Sequence, residues 1–141
     1  MIDLLFLLQE NLSNHNPTIR GIVITAFRYT LMDSSDSYSE VLRPLITPLL
    51  LSMLGDNNLG NHRLALTTLI SAIHNKVDII KPHLSELLPI VIGDTYIKPE
   101  LIREVQMGPF RHKVDEGLEL RKVGVSLHVC LTILQTYFML D

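Results

Sequence analysis

The sequence lacks several features that would point to a particular chemistry. It has one cysteine among 141 residues, no tryptophan, and aromatic residues at only 6%. A single cysteine cannot form an internal disulfide, so a reducing compartment is expected. Charged residues make up 19% of the chain and the net charge is -3. This balance argues against nucleic-acid binding, because that function needs a concentration of basic residues.

Motifs for nucleotide binding and catalysis are also absent. The patterns G-x-x-x-x-G-K-[ST], G-x-G-x-x-G and G-x-S-x-G do not occur. His128 and Cys130 are two residues apart, a spacing that points their side chains in different directions on a helix. No two of the six histidines have the i, i+4 spacing that places two imidazoles on one helix face. We therefore predict no catalytic, cofactor-binding or metal-binding residue, and we expect a protein that is not an enzyme.

What the chain does have is hydrophobic residues, at 47% of the total. That content excludes a disordered chain and suits helices with wide buried faces. The apolar run Leu4–Leu8 follows Asp3, where a secretory signal requires positive charge, so no signal peptide is predicted. The uncharged run Val123–Leu140 is long enough to span a membrane. Its interspersed polar residues favour a buried, poorly amphipathic helix instead.

Two blocks of the sequence resemble each other at an offset of 38 residues. Each block contains a basic residue before a proline, then a Leu-Leu pair and a Gly-Asp pair. A period of roughly 40 residues built from two helices is typical of HEAT and armadillo repeats. The aligned residues are Leu42-Arg43-Pro44 with Ile80-Lys81-Pro82, Leu49-Leu50 with Leu87-Leu88, and Gly55-Asp56 with Gly93-Asp94.

An arginine opens an apolar helical segment three times, at Arg20, Arg63 and Arg121. The second interval is 20 residues longer than the 38-residue offset, which indicates an insertion between the two helices of one repeat. We therefore predict an all-α fold, a HEAT-repeat α-solenoid of about three helix pairs, with a β-hairpin-like insertion in the third repeat.

Local signals place the helix ends. Asn16-Pro17 supplies a capping side chain and a first-turn proline for the second helix. The Ser- and Asp-rich segment Asp33–Ser39 is predicted to be a loop. Pro48 and Pro89 are expected to kink their helices, whereas Pro44 and Pro82 are expected in first turns, where proline is tolerated. The predicted helices cover residues 2–11, 17–32, 40–54, 60–75 and 77–93, and the last begins at residue 117.

The predicted insertion covers residues 98–116. Leu101, Arg103, Val105 and Met107 alternate as they would on one face of a strand, and Gly108-Pro109 is a turn signal. A projecting hairpin and an irregular loop are both compatible with this pattern. A loop of this length in a compact helical array is unusual, and such loops are commonly functional or disordered.

The same segment resembles a known insertion. Glu100–Val105, Met107–Phe110 and Val114–Leu118, together with Arg63–Leu66 and Ala72–Lys76 upstream, are similar to the C-terminal domain of the cullin-associated, neddylation-dissociated proteins, large HEAT-repeat regulators of cullin–RING ubiquitin ligases. The resemblance covers roughly residues 19–122. It divides the chain into residues 1–122, which resemble HEAT repeats of that domain, and a divergent apolar tail, residues 123–141, expected to be helical.

The resemblance implies a function. Members of this family bind a cullin with its RING subunit when the cullin lacks its ubiquitin-like modifier, and a hairpin competes with the substrate-receptor adaptor at the cullin N-terminal region. The chain would then regulate SCF-type ligase assembly and receptor exchange in protein ubiquitination, in the cytoplasm and nucleus. By the residue match, the partner-binding residues are Arg103, Glu104, Val105, Gln106, Met107, Gly108, Pro109, Phe110, Arg111, His112 and Lys113.

Other interpretations remain open. The chain could be a generic HEAT or armadillo interaction scaffold, for example part of a transport receptor, or a fragment without a function of its own. Within the family interpretation, Phe110 could also fold back onto Leu118 and pack the insertion against its own repeat.

Overall fold

The computed structural model describes residues 2–33 and 35–139. These residues are mostly helical and include one two-stranded antiparallel hairpin, so the predictions of a helical chain and of a hairpin are both confirmed. Two short 3-10 helices cover Lys81–His83 and Pro99–Leu101. The helices and strands are α1 (Ile2–Asn11), α2 (Pro17–Asp33), α3 (Asp36–Leu42), α4 (Ile46–Leu54), α5 (Leu59–Asn75), α6 (Val77–Ile80), α7 (Leu84–Asp94), β1 (Ile102–Met107), β2 (Phe110–Asp115) and α8 (Leu118–Met139).

Asparagine side chains cap the first turns of two long helices. Asn16 Oδ1 accepts a hydrogen bond from the Thr18 amide at 3.0 Å, and Pro17 is the first residue of α2. At the start of α5, Asn58 Oδ1 accepts a hydrogen bond from the Asn61 amide at 3.1 Å. Each cap satisfies one of the four amides that a helix start leaves without an intrahelical partner. The predicted cap at Asn16-Pro17 is confirmed.

Two of the predicted helices are interrupted at prolines that were expected to lie in first turns. The single helix expected over residues 40–54 is two helices, α3 and α4, and α3 begins inside the segment predicted to be a loop. The breaks fall at Pro44 and Pro82, because a proline ring clashes with the carbonyl of the preceding helical turn. Pro48 lies in the first turn of α4 and is tolerated there, and α7 continues through Pro89.

The three long helices form a row at the centre of the molecule. α2 packs on α5 and α5 packs on α8, while α1, α4 and α7 pack against α2, α5 and α8 respectively. Their contacts bury a continuous apolar core, in which Phe27, Leu66 and Leu127 are at most 1% exposed. The hairpin projects from the helices between α7 and α8. This is the position predicted from the extra length between Arg63 and Arg121.

The fourth residue of each long helix holds a carboxylate from a neighbouring segment. In α2 this residue is Arg20, whose Nε and Nη2 donate to the Asp56 carboxylate at 2.8 and 3.0 Å. The hydrogen bonds from Arg20 outweigh burial, so the pKa of Asp56 lies below its ordinary value. In α8 it is Arg121, whose Nη1 lies 2.6 Å from Asp115 Oδ2.

In α5 the equivalent residue is His62, although Arg63 is the residue that aligns with the other two arginines by type. His62 Nε2 lies 2.7 Å from Asp94 Oδ2, and Lys98 Nζ donates to Asp94 Oδ1 at 3.0 Å, whereas Arg63 is exposed. Burial alone would raise the pKa of Asp94, but the hydrogen bonds from His62 and Lys98 outweigh it and lower the pKa.

Helix α8 continues without interruption across Lys122 into the predicted tail. One side of it is buried through Leu127 and Leu131, and the opposite side exposes Val125, Val129 and Ile133. The tail is therefore helical as predicted, but the prediction that this helix is buried is wrong for the side that carries Val125, Val129 and Ile133. Across residues 2–33 and 35–139, the helices are too short or too polar to cross a membrane.

Candidate functional site

The insertion is a regular hairpin. β1 and β2 pair antiparallel from Ile102 opposite Asp115 to Met107 opposite Phe110. Gly108 and Pro109 are then the two residues of the connecting loop. Of the two structures left open by the sequence, the irregular loop is excluded.

The turn depends on the backbone of Gly108. Its φ of 63° is the only positive φ among the described residues. A glycine with positive φ at the first position of a two-residue loop is the signature of a type II′ turn, whose twist matches that of paired strands. Pro109 at the second position adds rigidity, because its ring fixes φ near the value that the turn needs.

The base of the hairpin is anchored to the helical body. The Glu116 amide donates to the Leu101 carbonyl at 3.0 Å, which closes the ladder below Ile102 and Asp115. Arg103 Nε lies 2.8 Å from Glu116 Oε1, and Asp115 lies against Arg121 of α8. The strands therefore project from a fixed base.

Above that base the hairpin is surrounded by solvent. Phe110 is 67% exposed and Met107 is 62% exposed, at the end furthest from the helices. Leu118 is 43% exposed as well, so Phe110 does not fold back onto it. The structure places all the predicted partner-binding residues on this hairpin, and all of them are exposed except Val105, which is half-buried; they are Arg103, Glu104, Val105, Gln106, Met107, Gly108, Pro109, Phe110, Arg111, His112 and Lys113.

The register separates the hairpin residues onto two faces. Directly opposed residues of an antiparallel pair share a face, and successive residues alternate between faces. We call one the apolar face, since four of its six residues are apolar, and the other the charged face. The apolar face comprises Arg103, Val105, Met107, Phe110, His112 and Val114; the charged face comprises Ile102, Glu104, Gln106, Arg111, Lys113 and Asp115.

The alternation within each strand is visible in the sequence, but the way in which the two strands combine is not. A shift of one residue in the register would have brought different faces together. The signal that fixes the register is the two-residue Gly-Pro loop, because loop length and turn type determine which residues pair.

The acidic residues at the start of α8 are engaged in ion pairs. Glu116 pairs with Arg103, and Glu119 Oε1 accepts from Lys122 Nζ at 2.8 Å, which holds the pKa of Glu119 below its ordinary value. Asp115 Oδ1 also accepts from the Gly117 amide at 2.9 Å. Each of these carboxylates is thus held by a basic side chain. Within the described part of the chain, no three His, Cys, Asp or Glu side chains converge as metal ligands would.

A second exposed apolar surface, which was not predicted from the sequence, lies on α2. Ile22 is 63% exposed and Tyr29 is 59% exposed. They border a groove between α2 and α5 that Ala26 and Leu64 also line. The spacing of Ile22, Ala26 and Tyr29 at three and four residues is the helical periodicity that could have revealed this stripe.

Comparison of the sequence with known proteins identifies the family to which the chain is similar. The model of the TIP120 family, described as TATA-binding protein interacting (TIP20), matches residues 79–140, a range that contains the hairpin and runs along α8. "Cullin-associated NEDD8-dissociated protein 1, C-terminal part" of Emericella nidulans is 71% identical over 114 residues, which cover 81% of this chain and 11% of that protein.

More distant relatives carry the same name. Cullin-associated NEDD8-dissociated protein 1 of Dictyostelium discoideum is 40% identical over 117 residues, covering 83% of this chain and 9% of that protein. Cullin-associated NEDD8-dissociated protein 2 of Mus musculus is 39% identical over 116 residues, covering 82% of this chain and 9% of that protein. The chain thus spans about a tenth of the length of these relatives. It belongs to the cullin-associated NEDD8-dissociated protein family and matches its C-terminal part.

Proposed function

We propose that this chain is a non-enzymatic, cullin-binding regulator of SCF-type cullin–RING ubiquitin ligase assembly. Its hairpin would compete with the substrate-receptor adaptor at the N-terminal region of the cullin, and the consequence would be exchange of substrate receptors. The observation that carries the proposal is the projecting hairpin with Met107 and Phe110 exposed at its tip. Exposed apolar anchors on a rigid support are typical of protein-interaction sites, where aromatic side chains supply much of the binding energy.

The proposed scaffold is a HEAT-repeat solenoid of about three helix pairs. The packing of α1 on α2, α4 on α5 and α7 on α8, with α2, α5 and α8 in a row, supports this arrangement. In a solenoid each pair contacts its neighbours, and an insertion between the helices of one pair projects without disturbing the stack. The hairpin between α7 and α8 has this position.

The proposed partner is an unmodified cullin with its RING subunit, in the cytoplasm and nucleus. We propose no nucleic-acid, membrane or small-molecule partner. The relatives are named for their association with cullins and their dissociation from NEDD8, and the hairpin lies inside the range that matches the family model.

The test is a competition assay on the full chain. Immobilised cullin–RING complex, with and without its ubiquitin-like modifier, is incubated with the chain and then titrated with the adaptor. We expect retention on the unmodified complex alone, and release as adaptor is added.

The matched control replaces residues 103–113 by a short glycine linker and leaves Leu101, Asp115 and Gly117 at the base. This variant should keep its helical circular dichroism and lose the ability to compete with the adaptor. Equal retention on modified and unmodified cullin, or competition by the linker variant, would contradict the proposal.

A further inference from the structure

We infer that the hairpin docks through its apolar face alone, against an apolar protein surface that lies in an acidic neighbourhood of the unmodified cullin. This inference rests on the proposed function and assigns the side of the hairpin that makes the contact. The family resemblance concerns the hairpin as a whole, whereas the two faces follow from the strand register.

The two faces of the hairpin differ in the free energy of burying their side chains. Val105, Met107, Phe110 and Val114 all lie on the apolar face, and burying them is favourable in proportion to the apolar area removed from water. The charged face presents Glu104, Arg111 and Lys113, and burying such groups is costly unless the partner pairs with each of them. The apolar face therefore gains more from docking.

Charged groups on the apolar face do not oppose docking equally. Arg103 already pairs with Glu116 at the base, so its charge stays compensated when the surface is covered. His112 is the remaining polar residue of that face, and it lies opposite Val105. A histidine side chain has an apolar body and a polar tip, so part of its surface can be covered at low cost.

The hairpin carries a net positive charge, which favours a docking surface with acidic residues around it. The hairpin, residues 102–115, contains three basic residues and two acidic residues, which gives +1, in a chain whose net charge is -3. Arg111 and Lys113 form no ion pair with any described residue. Pointing away from the contact, they would act at a distance by attracting an acidic region and raising the association rate.

The test compares two double variants of the full chain in binding to unmodified cullin–RING complex. Met107→Gln/Val114→Thr makes the apolar face polar and retains side-chain size at both positions. Glu104→Gln/Lys113→Gln removes a directly opposed charge pair on the charged face and leaves the net charge unchanged. We expect the first variant to lower affinity by at least about tenfold, and the second to change it by less than about twofold.

Thermal unfolding of both variants should match that of the wild type, because all four positions are exposed. Equal losses of affinity in the two variants, a loss confined to the charged-face variant, or no loss in either would overturn the one-sided docking while leaving cullin binding intact. A wild-type chain that does not bind the cullin would overturn the proposed function, and this inference with it.

Discussion

Two phenylalanines show how differently the helical body and the hairpin use apolar side chains. Phe27 in α2 is 1% exposed and is surrounded by the core, whereas Phe110 at the hairpin tip is 67% exposed. Burial of Phe27 contributes to the free energy of folding. Phe110 can contribute little to folding, so its apolar surface is available for a partner. Under the proposed function, stability and recognition are therefore carried by separate parts of the chain.

The two regions are also held together in different ways. The body combines apolar packing with ion pairs between elements, such as Arg20 with Asp56. The hairpin depends on its backbone ladder, the turn at Gly108 and the contacts of its base. Changes in the body should alter global unfolding, and changes in the hairpin should alter local order or binding.

The largest expected effect is that of Phe27→Ala. Truncating a fully buried phenylalanine removes apolar burial and leaves a cavity, which typically costs about 3–5 kcal/mol of unfolding free energy. Chemical denaturation followed by circular dichroism measures this loss. A change below about 1 kcal/mol would mean that α2 does not pack into the core as described.

A smaller effect is expected from Asp56→Asn, and it should depend on pH. The pKa of Asp56 in the folded protein lies below its ordinary value of 3.8, since Arg20 stabilises the ionised form. Its contribution to stability is therefore present above the unfolded-state pKa and is lost as pH falls through the lower folded-state pKa.

The measurement is the unfolding free energy of wild type and Asp56→Asn at pH 7 and across the acid range below about pH 4. The variant should be less stable at pH 7, by less than Phe27→Ala, and the gap should narrow in acid. A gap that stays constant with pH would show that the Arg20–Asp56 pair does not provide the stabilisation.

The smallest expected effect on global stability is that of Gly108→Ala. Its positive φ disfavours any residue with a Cβ by about 1–2 kcal/mol, and a Cβ there would meet no atom within 4 Å, so the effect is one of backbone conformation. We expect faster hydrogen exchange of the hairpin amides with an unchanged global unfolding transition.

Gly93→Ala is the matched control for that change, because a Cβ at Gly93 also meets no atom within 4 Å but the residue lies in α7. It should leave hairpin exchange unaltered and stabilise the helix slightly. Equal exchange rates in the two variants would contradict the assigned turn.

Most helices and the insertion could be predicted from the sequence, the helices from local caps and periodicity and the insertion from the spacing of the repeat. The cap at Asn16-Pro17 is a short-range pattern, and the extra length before Arg121 located the hairpin within the repeat. Proline effects were harder to predict. Whether Pro44 or Pro48 interrupts the helix depends on where the following helix begins. That position is determined by packing as well as by the proline itself.

Contacts between distant segments could not be predicted in the same way. Alignment by residue type matched Arg63 with Arg20 and Arg121, but the residue that reaches the neighbouring carboxylate is His62. The faces of the hairpin were also hidden, since they depend on a register that single-strand alternation does not contain. Whether the hairpin residues bind a partner remains a prediction.

The separation of stability from recognition is tested most directly by Phe110→Ala, with unfolding and affinity for unmodified cullin measured on the same protein. Because Phe110 is exposed, its truncation should change the unfolding free energy by no more than about 0.5 kcal/mol. Because aromatic side chains supply much of the binding energy at protein interfaces, we propose Phe110 as the main anchor, and its truncation should weaken cullin binding by about 2 kcal/mol. A lowered thermal stability with unchanged cullin affinity would contradict the account.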